Sequence, residues 1–437
     1  MIKPAIKTTE DFYQERVSTG RKVGVISLGC ARNLVDSQLI LGQLKRQGYR
    51  LADAACADTV VVNTCGFIEE AKKESIDTIL DLIALKKKGK LKRIVVAGCL
   101  AQRYGKQLAG EFKEVDTIIG VQKLDRQGVP EQVSLTPAHF AYVKICESCY
   151  NRCNFCVIPA IKGKFTSRTV ESVVREVRQL DGRGVREINI IGQDITAYGM
   201  DIYREKALAR LLREITAATR NIRWIRLLYA FPAHVTDELI DTIAREEKIC
   251  KYIDIPLQHI SENLLRSMNR GITTRATVDL IRKIRARVPG AHLRTTFIVG
   301  LPGETEENFE ELMGFVRETR FEKVGAFVYS REEGTPAYSM PGQVPDRIKK
   351  KRLDTLMRVQ RDISLSLQKE KIGRTVEVLI DEPQQGEKGV YLGRTRHDAP
   401  EVDGTVYVRC RGKLTPGDIV PVRITDCCEY DLMGEAL

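Results

Sequence analysis

Cys149, Cys153 and Cys156 stand in a C-x3-C-x2-C spacing within CESCYNRCNFC, residues 146–156. Three thiolates on one tight loop can hold three irons of a cubane 4Fe–4S cluster. The fourth iron then has no protein ligand. An open metal position of that kind can chelate a substrate or a cofactor, which a closed structural site cannot. Cys146 also makes a C-x2-C pair with Cys149, so a structural zinc site is the competing reading. An aromatic residue, Phe155, directly precedes the third cysteine.

A second set of cysteines is dispersed. Cys30 follows VGVISLG, Cys65 follows TVVVNT and Cys99 follows RIVVAG. Each apolar run reads as a buried parallel strand. The spacings of 35 and 34 residues each match one strand–helix unit. Open α/β sheets bind ligands at the carboxyl ends of their strands. Three thiolates on one rim are enough for a second three-cysteine cluster. The alternative is three buried thiols, since free cysteine is often buried. Cys56, Cys146, Cys250, Cys410, Cys427 and Cys428 have no evident role beyond packing.

These cysteines need elements to position them. Runs at 23–28, 59–64, 93–98 and 116–120 predict strands, with helices over 33–48 and 67–85 between them. This alternation implies a doubly wound parallel sheet. Residues 124–139 lack periodicity and read as a linker. A second series then predicts strands at 141–146, 186–191, 223–228, 251–255, 292–298 and 324–329. Helical patterns at 169–181, 205–219, 235–247, 273–287 and 304–318 separate them, and a charged helix over 346–372 closes the series. Six such units suggest a barrel or partial barrel, with its site at the strands' carboxyl ends. In the tail, 375–381, 405–410 and 419–426 read as strands without intervening helices, a pattern that fits a small OB-type barrel.

Composition narrows the partners. The 437 residues are 43% hydrophobic and 29% charged, which excludes a disordered chain and a small disulfide scaffold. The longest stretches without a charged residue, 132–143 and 334–345, are twelve residues, too short to span a bilayer. MIKPAIKTTEDF has no apolar run of the signal-peptide kind, so a cytoplasmic location is expected, where twelve cysteines suit metal or redox roles. The net charge is +12, yet residues 371–437 hold 9 Lys and Arg against 12 Asp and Glu. The body is therefore basic and suits a polyanion such as the ribosome or another nucleic acid. No G-x-S-x-G, P-loop or H-E-x-x-H motif appears, so hydrolase and NTPase readings lack support.

The C-x3-C-x2-C set with its aromatic resembles the motif of radical S-adenosylmethionine (SAM) enzymes. With LGCARNLVDS, VNTCGFI and AGCLAQRY upstream and a β-rich tail, essentially the whole chain resembles a methylthiotransferase. Two positions depart from the family's pattern: Ala31 replaces the common Pro, and Ser148 replaces the Gly usual before Cys149. The resemblance implies an α/β chain in three parts. These are a flavodoxin-like N-terminal domain (1–135), a radical-SAM partial (β/α)6 barrel (136–372) and an all-β, OB-like TRAM barrel (373–437).

Within the family, the segments GQDITAYGMD (192–201), LLYAFPAHVTDELI (227–240), DIPLQHISENLLRSMNRG (254–271), TFIVGLPGETEEN (296–308), FVYSREEGTPAY (327–338) and GRTRHDAPEVDG (393–404) resemble the branch that methylthiolates an aspartate of ribosomal protein S-twelve. The resemblance implies two 4Fe–4S clusters and two SAM molecules. The cluster on Cys149, Cys153 and Cys156 would bind and cleave SAM, and the resulting 5′-deoxyadenosyl radical would take hydrogen from the aspartate β-carbon. The cluster on Cys30, Cys65 and Cys99 would hold the sulfur. An electron donor and a sulfur donor would be further partners. Around SAM, Phe155 would pack on adenine, Gly192, Gln193 and Asp194 would meet the methionine end, and Arg294 would reach its carboxylate. Gly300 and Gly303 would let the backbone approach adenine. Packing for Phe155, an ion pair for Arg294 and an ordinary turn for the glycines are the alternatives. Gln258 and His259 would face the cavity. The acidic tail suits a basic ribosomal protein better than a tRNA. The MiaB-type tRNA-modifying branch and a non-catalytic iron–sulfur carrier are the other readings.

Overall fold

The computed structural model describes residues 5–14 and 20–437. Strands β1 (Ala5–Lys7), β2 (Lys22–Ser27), β3 (Arg50–Leu51), β4 (Thr59–Thr64), β5 (Arg93–Gly98) and β6 (Thr117–Ile119) form one parallel sheet in the order β1-β6-β5-β4-β2-β3. Apart from the edge strand β1, this is the flavodoxin order. Every residue of β4 is buried, because helices cover both faces. Val61 and Val95 pack under the helix Ala31–Arg46, joined by Ile40 and Leu44. Val60, Val62, Ile94 and Val96 meet the helices Glu69–Lys87 and Cys99–Glu111 on the other face. The sequence pattern missed β1, β3 and the helix Cys99–Glu111. The two strands are short and mostly exposed, and the helix carries two glycines and a kink at Tyr104.

Residues between β6 and the next strand have no regular structure, but they are not loose. The Val133 N–H donates to the Gln38 carbonyl at 3.1 Å, and a side chain added at Gly42 would meet the Glu131 carbonyl at 2.2 Å.

Strand β7 (Phe140–Lys144) opens the second sheet. A two-stranded ribbon of β8 (Cys146–Glu147) and β9 (Thr166–Ser167) flanks the C-x3-C-x2-C loop. Then come β10 (Glu187–Ile191), β11 (Trp224–Leu227), β12 (Ile249–Asp254), β13 (His292–Val299) and β14 (Lys323–Val328). The parallel order β14-β13-β12-β11-β10-β7 makes an open, six-stranded partial barrel. Ile188, Ile190 and Ile225 pack outward against the surrounding helices.

The tail strands β15 (Thr375–Pro383), β16 (Val390–Thr395), β17 (Val406–Arg409), β18 (Ile419–Cys427) and β19 (Leu432–Ala436) close into a barrel. The sequence pattern missed β16 and β19, each interrupted by a glycine that weakens a strand signature. Those glycines are required sterically. A side chain at Gly393 would lie 2.5 Å from the Leu379 carbonyl, and one at Gly434 would lie 2.6 Å from that of Arg423.

The segment 394–403 turns into the base of the partial barrel, opposite the cysteines. Arg394 Nη1 donates to Glu187 Oε2 at 2.7 Å, and Lys323 Nζ to Asp398 Oδ1 at 2.6 Å. The Tyr252 hydroxyl donates to Asp403 at 2.7 Å, and that of Tyr142 to Glu401 at 3.1 Å. Part of the tail's acidity is therefore used internally.

Candidate active site

The first triad sits where three adjacent central strands end. Cys30 precedes the helix that follows β2, Cys65 follows β4, and Cys99 opens the helix that follows β5. Gly98 makes the turn into Cys99 with φ of +92°, which favours glycine. One asparagine ties the three loops together. Asn33 Nδ2 donates to the Leu28 carbonyl at 2.9 Å and to that of Thr64 at 3.1 Å, while Cys99 Sγ lies 3.8 Å from Asn33 Oδ1. Ser75 clips the Cys65 backbone, accepting from its N–H at 3.0 Å and donating to its carbonyl at 2.9 Å.

The second triad lies on the loop after β8. The Asn151 backbone N–H and Nδ2 donate to Cys149 Sγ at 3.4 and 3.5 Å, and Arg270 Nη1 donates to Cys153 Sγ at 3.2 Å. Ser148, one of the two departures from the family pattern, has φ of +66°. Its hydroxyl donates to the Gly163 carbonyl at 2.6 Å, a local bond that helps hold a conformation glycine adopts more cheaply.

All six cysteines line one cavity of about 240 Å³ at the seam between the first sheet and the partial barrel. All are free thiols. Cys146 is not among the lining residues: it is fully buried, with Sγ 3.5 Å from the Asp194 carbonyl. The Cys146–Cys149 pair of a zinc site is thus not assembled. Among the described residues, no three His, Cys, Asp or Glu side chains converge on a single metal ion. Soft thiols spread in two threes round a cavity suit multi-iron clusters better than a lone ion.

Burial pushes the Cys149 thiol up to about 11, and those of Cys99 and Cys156 to about 12. Burial also acts on Cys30, but the Arg32 charge and neighbouring N–H groups outweigh it and lower that thiol. A bound metal centre supplies the positive charge that the other thiols need in order to ionise. The donor set therefore fits two clusters.

Beneath the cavity lies a buried quartet of charges. Lys144 Nζ pairs with Asp36 and stands 2.7 Å from Glu147. Lys162 Nζ is 2.8 Å from Asp36 and 3.4 Å from Glu147. Asp36 belongs to the first domain and the other three to the barrel. Gln193 Nε2 also donates to Glu147, at 2.9 Å. Two cations against two carboxylates make the group neutral, which offsets the cost of burying each charge.

Phe155 and Gln193 line the cavity, and the Gly192 carbonyl accepts from Arg32 at 3.0 Å. Asp194 is fully buried beside it. It accepts from Asn151 Nδ2 and faces His234 Nδ1, both at 2.8 Å, so it fixes the loop that carries Cys149. Arg294 does not reach the cavity. It lies near the start of β13, pairs with Asp254 at 3.0 Å, and approaches Asp403 at 3.8 Å. The five residue steps from Arg294 to Val299, the end of the strand, span about 16 Å. Gly300 and Gly303 are also outside the cavity lining. Both have positive φ, and a side chain at Gly300 would strike Lys349 of the helix Asp346–Lys369 at 2.2 Å. They serve the turn and the packing of that helix. His259 is buried away from the cavity, and burial lowers its imidazole to about 3, so it is neutral.

The sequence reading missed Arg32, Asn33, Lys162, Tyr229 and Arg270. Arg32 and Asn33 stand two and three positions after Cys30 in LGCARNLVDS, which was the available signal. Tyr229, at φ +69°, and Gln258, at φ +74°, are held on the cavity wall by strained backbone that no local pattern announces.

Residues 143–316 match the radical SAM superfamily, residues 22–120 the uncharacterised protein family UPF0004, and residues 372–437 the TRAM domain. The chain is 46% identical to the ribosomal protein uS12 methylthiotransferase RimO of Desulforamulus reducens, over 94% of this chain and 99% of the relative. It is 48% identical to that of Caldanaerobacter subterraneus subsp. tengcongensis, over 95% and 100%. It is 45% identical to that of Geobacter sulfurreducens, over 95% and 98%. Among solved structures, the radical SAM methyltransferase TsrM from Kitasatospora setae shares the fold. It aligns with a TM-score of 0.54 at 17% identity, over 73% of this chain and 77% of that one.

Proposed function

Since this chain belongs to the RimO family of ribosomal protein uS12 methylthiotransferases, we propose a division of labour for its own residues in that reaction. The protein is a radical-SAM methylthiotransferase that acts on uS12 and uses SAM and 4Fe–4S clusters. The target is the β-carbon of an aspartate. Its C–H bond is unactivated, so neither a general base nor a nucleophile would suffice, and the hard chemistry falls to cofactors.

Cys149, Cys153 and Cys156 hold one cluster, and Cys30, Cys65 and Cys99 hold the other. When bound, the first supplies the electron that cleaves SAM, the second supplies sulfur, and a second SAM supplies the methyl group. The chain's own residues orient and shield. Asn151 and Arg270 direct N–H groups at the cysteine sulfurs of the barrel loop, a contact that tunes such centres. Asn33 fixes the other three loops to one another. Phe155 and Gln193 form the wall where SAM is held, with Gly192 and Asp194 supporting it.

The division follows three regions, 1–135, 136–372 and 373–437. The first and second meet at the cavity, and the third closes the barrel from below. Its remaining outward acidic residues face the basic ribosomal protein. An electron donor and a sulfur donor act from outside, in the cytoplasm. No helix among the described residues is long and apolar enough to cross a membrane.

One observation carries this reading: two cysteine triads from different domains line a single cavity. The test is mass spectrometry of uS12 after incubation with anaerobically purified enzyme, SAM, sulfide and a reductant. A gain of one methylthio group on an aspartate is expected. Unmodified uS12 alongside a methylthiolated tRNA would overturn the assignment.

A further inference from the structure

We propose that Arg32 receives the side-chain carboxylate of the substrate and so makes this cavity selective for an acidic residue. The inference rests on the reading above. A carboxylate entering a walled cavity needs a cation to replace its hydration. Three cations line the cavity: Arg32, Lys162 and Arg270. Lys162 is already held between Asp36 and Glu147. Arg270 is buried, with Nη1 on Cys153, Nη2 on the Pro256 carbonyl at 2.6 Å and its face on Phe231.

Among the described residues, Arg32 differs from Lys162 in lacking an ion pair, and from Arg270, which also lacks one, in having only Nη1 engaged by a hydrogen bond. Among the described residues it makes no ion pair of 4.0 Å or less. Its guanidinium donates to the Gly192 carbonyl at 3.0 Å and lies 4.2 Å from the centre of the Tyr229 ring. A guanidinium carries five N–H donors in a planar fork suited to a carboxylate. The Gly192 carbonyl engages one of them. The nearby carboxylates Asp36 and Glu147 are matched by Lys144 and Lys162, so they do not compete.

Position supports the same role. Arg32 stands two residues after Cys30 in the first domain and donates to Gly192 at the end of a barrel strand, and so bridges the seam between the two triads. A carbon that loses hydrogen on one side and gains sulfur from the other must sit in that seam. Tyr229 sits beneath the guanidinium in a strained backbone conformation, which helps fix the fork in one orientation.

The test compares holoenzymes carrying Arg32→Met and Arg32→Lys with wild type. The probes are a uS12 peptide bearing the target aspartate and the same peptide with asparagine there. Iron content and peptide-free SAM cleavage are read in parallel. The expected result for Arg32→Met is a rise in KM for the aspartate peptide of about ten- to a hundredfold, the worth of one charged hydrogen-bonding partner. Discrimination against asparagine should fall, and Arg32→Lys should restore part of the affinity. An unchanged peptide KM overturns the proposal. So does a rise confined to the KM for SAM, which would give Arg32 to the cofactor, or a loss of about half the iron, which would give it to cluster retention. A wild-type enzyme that leaves the aspartate peptide unmodified removes the functional reading and this inference with it.

Discussion

Lys162 Nζ lies 2.8 Å from Asp36 Oδ2, and the two residues come from different domains. Asp36 is on the helix that follows Cys30, and Lys162 ends the short helix that follows Cys156. The side chains are only 4% and 2% exposed. This pair therefore fixes the separation of the two cysteine triads from beneath the cavity they share.

Asp36→Ala should destabilise the protein by about 3–5 kcal/mol, because it leaves two buried ammonium groups facing one carboxylate. Urea unfolding under anaerobic conditions measures this. A loss below about 1 kcal/mol would show that water replaces the missing carboxylate and that the pair does not hold the seam.

Replacing Cys30, Cys65 or Cys99 with Ala should leave SAM cleavage intact and abolish methylthiolation. The triple variant should carry about four irons in place of about eight. Replacing Cys149, Cys153 and Cys156 should also halve the iron but stop SAM cleavage. Full methylthiolation by any variant of the first triad would falsify the assignment.

Gly98→Ala should unfold at a lower temperature and retain less iron at the first triad. Its φ is +92°, and the added carbon would stand 2.2 Å from Asn63 Oδ1 and 2.7 Å from the Thr64 carbonyl. Gly163→Ala is the control, since φ there is +74° with nothing within 4 Å. It carries strain alone, about 1–3 kcal/mol. Equal melting points for the two variants would contradict the packing argument.

The base of the barrel should loosen in acid. Burial pushes the Asp398 carboxyl up, but Lys323 and Lys371 outweigh it and hold it well below the usual carboxylate range. A carboxyl depressed in the folded state stabilises above its unfolded value of about 3.9, and that stability is lost as pH falls towards the folded value. The stability difference between wild type and Asp398→Asn should be present at neutral pH and close below about pH 4. A difference independent of pH, measured by urea midpoints, would rule out the Lys323 pairing as its source.

The sequence alone was sufficient for elements whose signature is local. Strands β2, β4 and β5 are continuous apolar runs, and parallel strand–helix alternation places Cys30, Cys65 and Cys99 on one rim whatever else the chain does. The C-x3-C-x2-C loop is equally local. Sequence could not say that the two triads face one cavity, because the seam is set by contacts such as Lys162–Asp36, which join residues 126 positions apart. The strand expected over 292–298 already puts Arg294 near its amino end, away from the rim. The apolar pattern identified the strand, but only the tertiary structure sets that residue beside Asp403. The segment 393–404 carries no strand or helix expectation in the sequence reading. Its Arg394, Asp398 and Asp403 are buried against the barrel because their partners Glu187, Lys323 and Tyr252 lie far away in the chain. Local periodicity fixes which residues share a face. Which faces then meet depends on long-range packing and charge pairing, and only the tertiary structure decides that.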